Sequence, residues 1–366
     1  MSQPIHLAHA ELLRGMIPPL LKWYRAKARS LPWRDDPAPY RVWLSEIMLQ
    51  QTRVAAVMPY FDRFLDALPD VQSLAECSEE TLMKLWQGLG YYNRARNLQK
   101  AARILMKEHG GRIPSSFDEL LSLPGIGRYT AAAISSIAYG GSHPAVDGNV
   151  LRVIARLALC PEDISKDRTK RTIEDALQAV YPPREGGDIN QALMELGATV
   201  CLPNGEPHCG QCPLRLLCLA WEEGCIADYP RKAKKKNRRR EQLTVLRLEM
   251  GGLLAIRKRP AKGLLAGLWE LPHLPGHASR REITAWCREQ GYSLQSIEPL
   301  PPACHIFSHV EWDMTGWRLK VAPERVMEAG TLYGTGPKGL QWRSPEEIAE
   351  GYSIPAAFQY FLGSAG

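Results

Sequence analysis

The sequence predicts a multidomain protein in which an all-α region is followed by a smaller α+β domain. Three observations carry that prediction. Residues 117–157 read as helix, tight turn, helix, loop and capped helix; four cysteines crowd between 201 and 218; and after Gln242 the apolar period shortens from helical to strand-like. A chain of 366 residues that is 45% apolar has room for two or three cores.

Leu120, Leu121 and Leu123 give the first helix of the central stretch its apolar face, and Pro124 ends it by removing a donor and clashing with the preceding turn. Gly125 and Gly127 bracket Ile126, so the backbone can turn sharply and approach a neighbouring surface. Ala131, Ala132, Ala133, Ile134 and Ile137 then build a second helix with a buried side. The free N–H groups at its start, unobstructed at the glycines, make a site for a phosphate oxygen. Asp147 stands before a helix that begins near Asn149 and reads as its N-cap, a setting that favours the ionised carboxylate.

Residues 1–30 predict one or two helices packed across the domain. Trp43, Leu44, Ile47, Met48 and Val54 predict a mostly buried helix, and Glu46 falls among them. A carboxyl in apolar surroundings has its charged form disfavoured and can hold a proton near neutral pH, as a general acid must. A solvated or ion-paired glutamate satisfies the same pattern. Residues 158–200 are helical again and are expected to close a second, smaller lobe, which puts the active site in the cleft between lobes.

The net charge of +7 fits a polyanionic partner without establishing one. No run of 18 apolar residues occurs and the N-terminus lacks a signal-peptide core, so the expectation is no membrane contact and a cytoplasmic, nucleoid-associated monomer. Nine cysteines, an odd number concentrated in one segment, argue for metal or cluster ligation over disulfides. Cys201, Cys209, Cys212 and Cys218 suit a 4Fe–4S cluster, with an all-cysteine structural zinc site as the alternative. Arg215, between the last two, is placed to meet a phosphate.

Eight of the ten residues from 231 to 240 are basic, which marks a solvated, extended linker, drawn at 229–241. Lying along a duplex it would gain from counterion release; a tether with no fixed contact explains it equally. Beyond it, LTVLRLEM, GGLLAIRKR and WRLKVAP read as strands and residues 282–290 as one helix.

LPWR, SEIMLQQTRV, GLGYYNRARNL, LPGIGRYTA and VDGNVLRV occur in an order and spacing that resembles the adenine DNA glycosylases, the MutY family of the helix-hairpin-helix endonuclease III superfamily. The likeness covers the N-terminal 225 residues or so. It implies a helix-hairpin-helix glycosylase fold with a cluster subdomain over 1–228, the six-helix lobe at about 31–140 and the cluster lobe formed by 1–30 with 141–228. It makes Glu46 the acid that protonates N7 of adenine and sets Asp147 against the sugar as positive charge develops, with Tyr129 and Asn149 in support. Arg34, Leu49 and Trp33 would line the adenine pocket. Gln51, Thr52, Tyr91, Arg94, Gly125 and Gly127 would meet DNA, Gln51 and Tyr91 near the mispair. The resemblance favours iron and sulfur over zinc, although seven residues separate the first two ligands here and six is the family's usual number. It also allows a monovalent or calcium ion where the hairpin meets a phosphate.

The chemistry agrees with that assignment: losing a base needs a protonated leaving group and a stabilised oxocarbenium-like sugar, hence two carboxyls in opposite protonation states. A base in a duplex must also be flipped out and its gap filled. Bifunctional relatives carry a lysine at the hairpin position occupied here by Tyr129, and a phenol cannot form their Schiff base. GLLAGLWELPHL resembles the Nudix fold, but Arg281, Glu282 and Ile283 are followed by Thr284, Ala285 and Trp286, so the metal-holding glutamate pair is missing and residues 242–366 are expected to bind without hydrolysing. There Phe307, Ser308 and His309 would inspect the oxidised guanine opposite adenine. The expected function is excision of adenine mispaired with 8-oxoguanine or guanine, without strand cleavage. An endonuclease III-like lyase and a non-catalytic damage sensor are the rivals.

Overall fold

The computed structural model describes residues 9–233, 237–323 and 339–363. The first residues of the expected N-terminal helices and Lys234, Lys235 and Lys236 of the expected linker lie outside the described residues. The chain divides into two compact units, 1–76 with 96–234 and 77–95 with 235–366.

The first unit is helical. It holds α1 (Ala10–Lys27), α2 (Pro32–Asp35), α3 (Pro39–Leu49), α4 (Val54–Ala67) and α5 (Val71–Glu76). Helix α6 (Glu79–Trp86) belongs to the other unit, and α7 (Asn93–His109) runs from that unit into this one. Then come α8 (Phe117–Ser122), α9 (Arg128–Tyr139), α10 (Gly148–Leu157), α11 (Asp167–Gln178), α12 (Gly186–Thr199) and the short α13 (Leu219–Glu222). Val54, expected in one helix with Trp43, instead opens α4, because the chain turns through Gln51 in a left-handed conformation (φ 59°).

The expected hairpin is α8, a turn and α9. Gly125 has φ 79°, and a Cβ there would sit 2.7 Å from Cβ of Asn97, so only glycine satisfies both the turn and the packing. A Cβ on Gly127 would meet nothing, which leaves the start of α9 open. Leu13, Met16, Leu20, Val150, Ile154, Ile173, Leu193 and Leu196 build one core between α1, α10, α11 and α12. Two glycines let α12 approach: a Cβ on Gly187 would lie 2.6 Å from the Ser136 carbonyl oxygen, and one on Gly197 2.5 Å from Cβ of Asn149. These contacts seat α12 against α9 and the N-terminus of α10.

Among the described residues the second unit carries a seven-stranded sheet of β1 (Arg239–Met250), β2 (Leu253–Lys258), β3 (Trp269–Glu270), β4 (His273–Pro275), β5 (Tyr292–Ile306), β6 (Val310–Pro323) and β7 (Leu340–Arg343). The order is β3-β2-β1-β6-β5, with β1 and β6 parallel; β4 pairs with β1 and β7 with β2. Helices α14 (Arg280–Glu289), α15 (Pro345–Gly351) and α16 (Ala356–Leu362) complete it. Alternation along β1 and β6 divides the apolar side chains into two cores, one on Val245, Ile256, Met314 and Phe358, the other on Leu246, Ala255, Ile283 and Leu319. Strand β1 begins at Arg239, before the expected boundary at 242, so Arg239 and Arg240 of the basic run pair with Val310 and Glu311. Glu282 closes a capping box on Ser279 at the start of α14.

Candidate active site

A cleft of about 1120 Å³ opens in the helical unit and gathers side chains from α2, α3, α9, α12 and the start of α10. Glu46 enters it from α3, only 5% exposed. Burial raises its pKa to about 7, and the nearby charge of Asp147 adds to the effect. Two features act the other way: the Tyr129 hydroxyl donates to Oε2 of Glu46 at 2.7 Å, and the Arg34 guanidinium is close by.

Asp147 caps α10 and borders the same cleft. Its Oδ1 accepts the backbone N–H groups of Asn149 and Val150, both at 2.8 Å, and its Oδ2 accepts the Asn149 amide at 2.7 Å. Burial pushes this carboxyl up as well, while those donors and the charge of Arg152 hold it down. The contrast lies in donor number: three hydrogen bonds stabilise the Asp147 anion and one stabilises that of Glu46.

Asn149 is itself fixed. Its Oδ1 accepts from Nη2 of Arg152 at 2.9 Å, and the same guanidinium donates to the carbonyls of Gly197 at 2.7 Å and Cys201 at 2.7 Å. Tyr129, expected in support of the two carboxyls, has its hydroxyl on Glu46, because α9 packs on α3 and its first turn faces that helix.

Arg34, Leu49 and Trp33 line the cleft, as do Gln51, Thr52 and Gly127. Arg94, expected to meet DNA, is buried in the structure. Only 9% exposed, it donates to the carbonyls of Leu89 and Gly90 at 3.1 and 3.2 Å and lies over the rings of Trp86 and Tyr91, and burial lowers its pKa to about 10. It braces the loop that carries Tyr91. Tyr91 has a left-handed backbone (φ 49°), is 45% exposed, and its hydroxyl is 2.6 Å from Oγ of Ser308 within the second unit. Ser308 and His309 lie on the turn between β5 and β6. Phe307 folds back between His305 and Trp312, with ring centroids 4.6 and 4.9 Å away.

Cys201, Cys209, Cys212 and Cys218 line one cavity with Val153, Leu157, Leu196 and Leu214. Among the described residues no group of three or more His, Cys, Asp or Glu side chains is placed to hold a metal ion. The buried Arg156 donates to Sγ of Cys201 at 3.3 Å. Arg215 is exposed and lies near the Trp221 ring.

Sequence reasoning missed Glu195 and Arg29, which also line the cleft. A lone carboxylate in the apolar run ALMELGATV carried the same signal as Glu46 in α3.

Residues 44–179 match the model of the HhH-GPD superfamily of base excision DNA repair proteins, and residues 244–364 match a NUDIX domain model. Mouse adenine DNA glycosylase is 35% identical over 90% of this chain and 74% of its own length; the human protein is 35% identical over 90% and 70%. The chain belongs to the adenine DNA glycosylase family. Solved structures agree for the helical part of this family member. A thermostable thymine-DNA glycosylase superposes with a TM-score of 0.52 at 26% identity, covering 59% of this chain and 99% of that one. Endonuclease III in a non-covalent DNA complex gives 0.51 at 27%, covering 59% and 97%.

Proposed function

We propose that the chain removes adenine from duplex DNA where it stands opposite 8-oxoguanine or guanine, by flipping the nucleotide and hydrolysing its N-glycosidic bond. Membership of the adenine DNA glycosylase family makes it a base-excision DNA glycosylase, a hydrolase of N-glycosyl bonds with DNA as partner. The observation that carries the mechanism is the placement of Glu46 and Asp147 on one cleft in unequal hydrogen-bonding surroundings.

The extruded adenine enters between Trp33, Arg34 and Leu49. Glu46, protonated near neutral pH, gives its proton to N7 and converts the base into a neutral leaving group. Asp147, anchored by Asn149 and the first N–H groups of α10, faces the sugar and stabilises the oxocarbenium charge. Tyr129 holds the Glu46 carboxyl and cannot form an imine, so the reaction ends at the abasic site. Gly125, Gly127 and the open start of α9 take a backbone phosphate, and Gln51 and Thr52 meet the strand beside the gap. A monovalent or calcium ion at the hairpin rests on the family resemblance alone. Tyr91 and the turn at 307–309 meet the base opposite adenine, which makes 242–366 the recognition domain and the basic run before it the linker from the catalytic region, 1–228. The four cysteines would hold a 4Fe–4S cluster that orders the loop carrying Arg215; with all four thiolates engaged it would offer no open position for chemistry. The enzyme is read as a monomer working at the nucleoid.

The test is single-turnover excision from a duplex with adenine opposite 8-oxoguanine. Glu46→Gln is expected to slow it by a hundredfold or more, on the order of what a lost general acid costs, and borohydride should trap no covalent adduct. Excision by that variant at near the parent rate would remove the assigned acid. A strong trapped adduct would return the enzyme to the lyase class.

A further inference from the structure

Beside the reacting carboxyls sits a second, closed arrangement of charges. Glu195, on α12, has a side chain only 1% exposed and takes three side-chain hydrogen bonds or ion contacts from two arginines. Arg29 grips it with Nε on Oε1 at 2.6 Å and Nη2 on Oε2 at 2.8 Å. Arg34 reaches Oε2 with Nη1 at 2.9 Å, and the same Nη1 donates to the Arg29 carbonyl at 3.2 Å. Each member of the triangle fixes the other two. Beneath it the Tyr24 ring lies 5.6 Å from the Arg34 guanidinium.

A buried carboxylate held by two guanidiniums is a poor source of stability, since desolvating three charges offsets most of their attraction. It is an effective source of geometry, because a forked donor on a fixed acceptor loses most of its rotational freedom. Arg34 is a long side chain at the mouth of α2, 12% exposed on the cleft wall, and α2 is only four residues long, too short to orient it. We infer that Glu195 is a positioning residue for catalysis, holding Arg34 against the base-binding side of the cleft, with Arg29 as the second arm of the clamp. The assignment rests on Glu46 being the acid, since the consequence of a displaced Arg34 is felt there.

That consequence has a sign. The groups facing Glu46 are Tyr129 from α9, Asp147 from the cap of α10 and Arg34 from α2, with Arg29, Arg53, Lys170 and Glu195 elsewhere on the cleft wall. Arg34 acts to lower the pKa of Glu46. Removing its guanidinium therefore lets Glu46 keep its proton to higher pH, and whether it is removed or freed the adenine loses a fixed contact and reacts more slowly.

The experiment is a double-mutant cycle on single-turnover excision in the full-length enzyme, with rates taken across pH. Glu195→Gln and Arg34→Met are each expected to lower the rate by roughly ten- to a hundredfold, the scale of a misplaced contact near the reacting bond. Arg34→Met, which removes the cation, should also move the alkaline limb of the profile upward. Together they should be no worse than Arg34→Met alone, because the first acts through the second. Losses that multiply, or an Arg34→Met profile that falls at every pH with no movement of the limb, would overturn the assignment and leave Glu195 as scaffold. Should Glu195→Gln melt below the assay temperature, Arg29→Gln carries the test: its side chain is 41% exposed, it supplies two of the three side-chain contacts, and its effect must likewise vanish when Arg34 is already Met. Glu46→Gln run in parallel separates the two levels. If it retains excision, the acid is misassigned; if it is inactive while the cycle is multiplicative, only the clamp is wrong.

Discussion

Glu46 shows how one side chain acquires a chemical role from its surroundings. Its place in α3, between apolar neighbours on a buried face, raises its pKa from the usual carboxyl range to about 7. A general acid is active while it keeps its proton, so kcat/KM should be level below about 7 and fall as pH rises through the Glu46 pKa. Tyr129→Phe removes a donor that favours the Glu46 anion. The midpoint should then move to higher pH, with little change in rate on the acid side; a midpoint that stays put or moves down would mean that the hydroxyl does not govern the proton. Arg94 makes the opposite point at the same scale. An arginine in a DNA-binding stretch suggests a phosphate contact, yet its burial over Trp86 and Tyr91 spends the charge on bracing a loop.

Among the elements, α12 contributes most that the sequence did not reveal. The hairpin of α8 and α9 was legible because each of its determinants is local: apolar spacing, the proline stop, the glycine turn and the cap at Asp147. The four cysteines and the strands after Gln242 were legible for the same reason. What brings Glu195 to the cleft, and Gly197 under Asn149, is a packing of helices distant in sequence, which no local pattern encodes. The glycines were nevertheless visible as three small residues in a buried helix, Gly186, Gly187 and Gly197. Gly197→Ala would place a methyl 2.5 Å from Cβ of Asn149 and force α10 and α12 apart. Destabilisation of about 1–3 kcal/mol is expected, the usual cost of overpacking, together with slower excision, because Asn149 holds Asp147. Thermal melting and single-turnover rates measured side by side check both. An unchanged melt would show that the close approach is relaxed in solution, and a lowered melt with full activity would separate Asn149 from the alignment of Asp147.

On the scale of the whole molecule, the division of the chain departs from the order of its segments. Residues 77–95, embedded among catalytic helices in the sequence, share a compact unit with the sheet. Gln87 donates to the Ile354 carbonyl at 3.0 Å, α6 packs on α15, and Tyr91 meets Ser308. The two residues expected at the base opposite adenine are thus joined hydroxyl to hydroxyl within one structural unit. A hydroxyl pair at 2.6 Å fixes both side chains, so either partner alone should have its orientation disturbed when the other is removed. Tyr91→Phe and Ser308→Ala are therefore expected each to reduce the preference for adenine opposite 8-oxoguanine over adenine opposite guanine. The double variant should lose little more than the worse single one, with the rate on the preferred duplex falling less than the preference. Measured as a ratio of excision rates on the two duplexes, additive losses would mean that the hydroxyls act independently. An unchanged ratio in both single variants would remove the turn at 307–309 from recognition altogether.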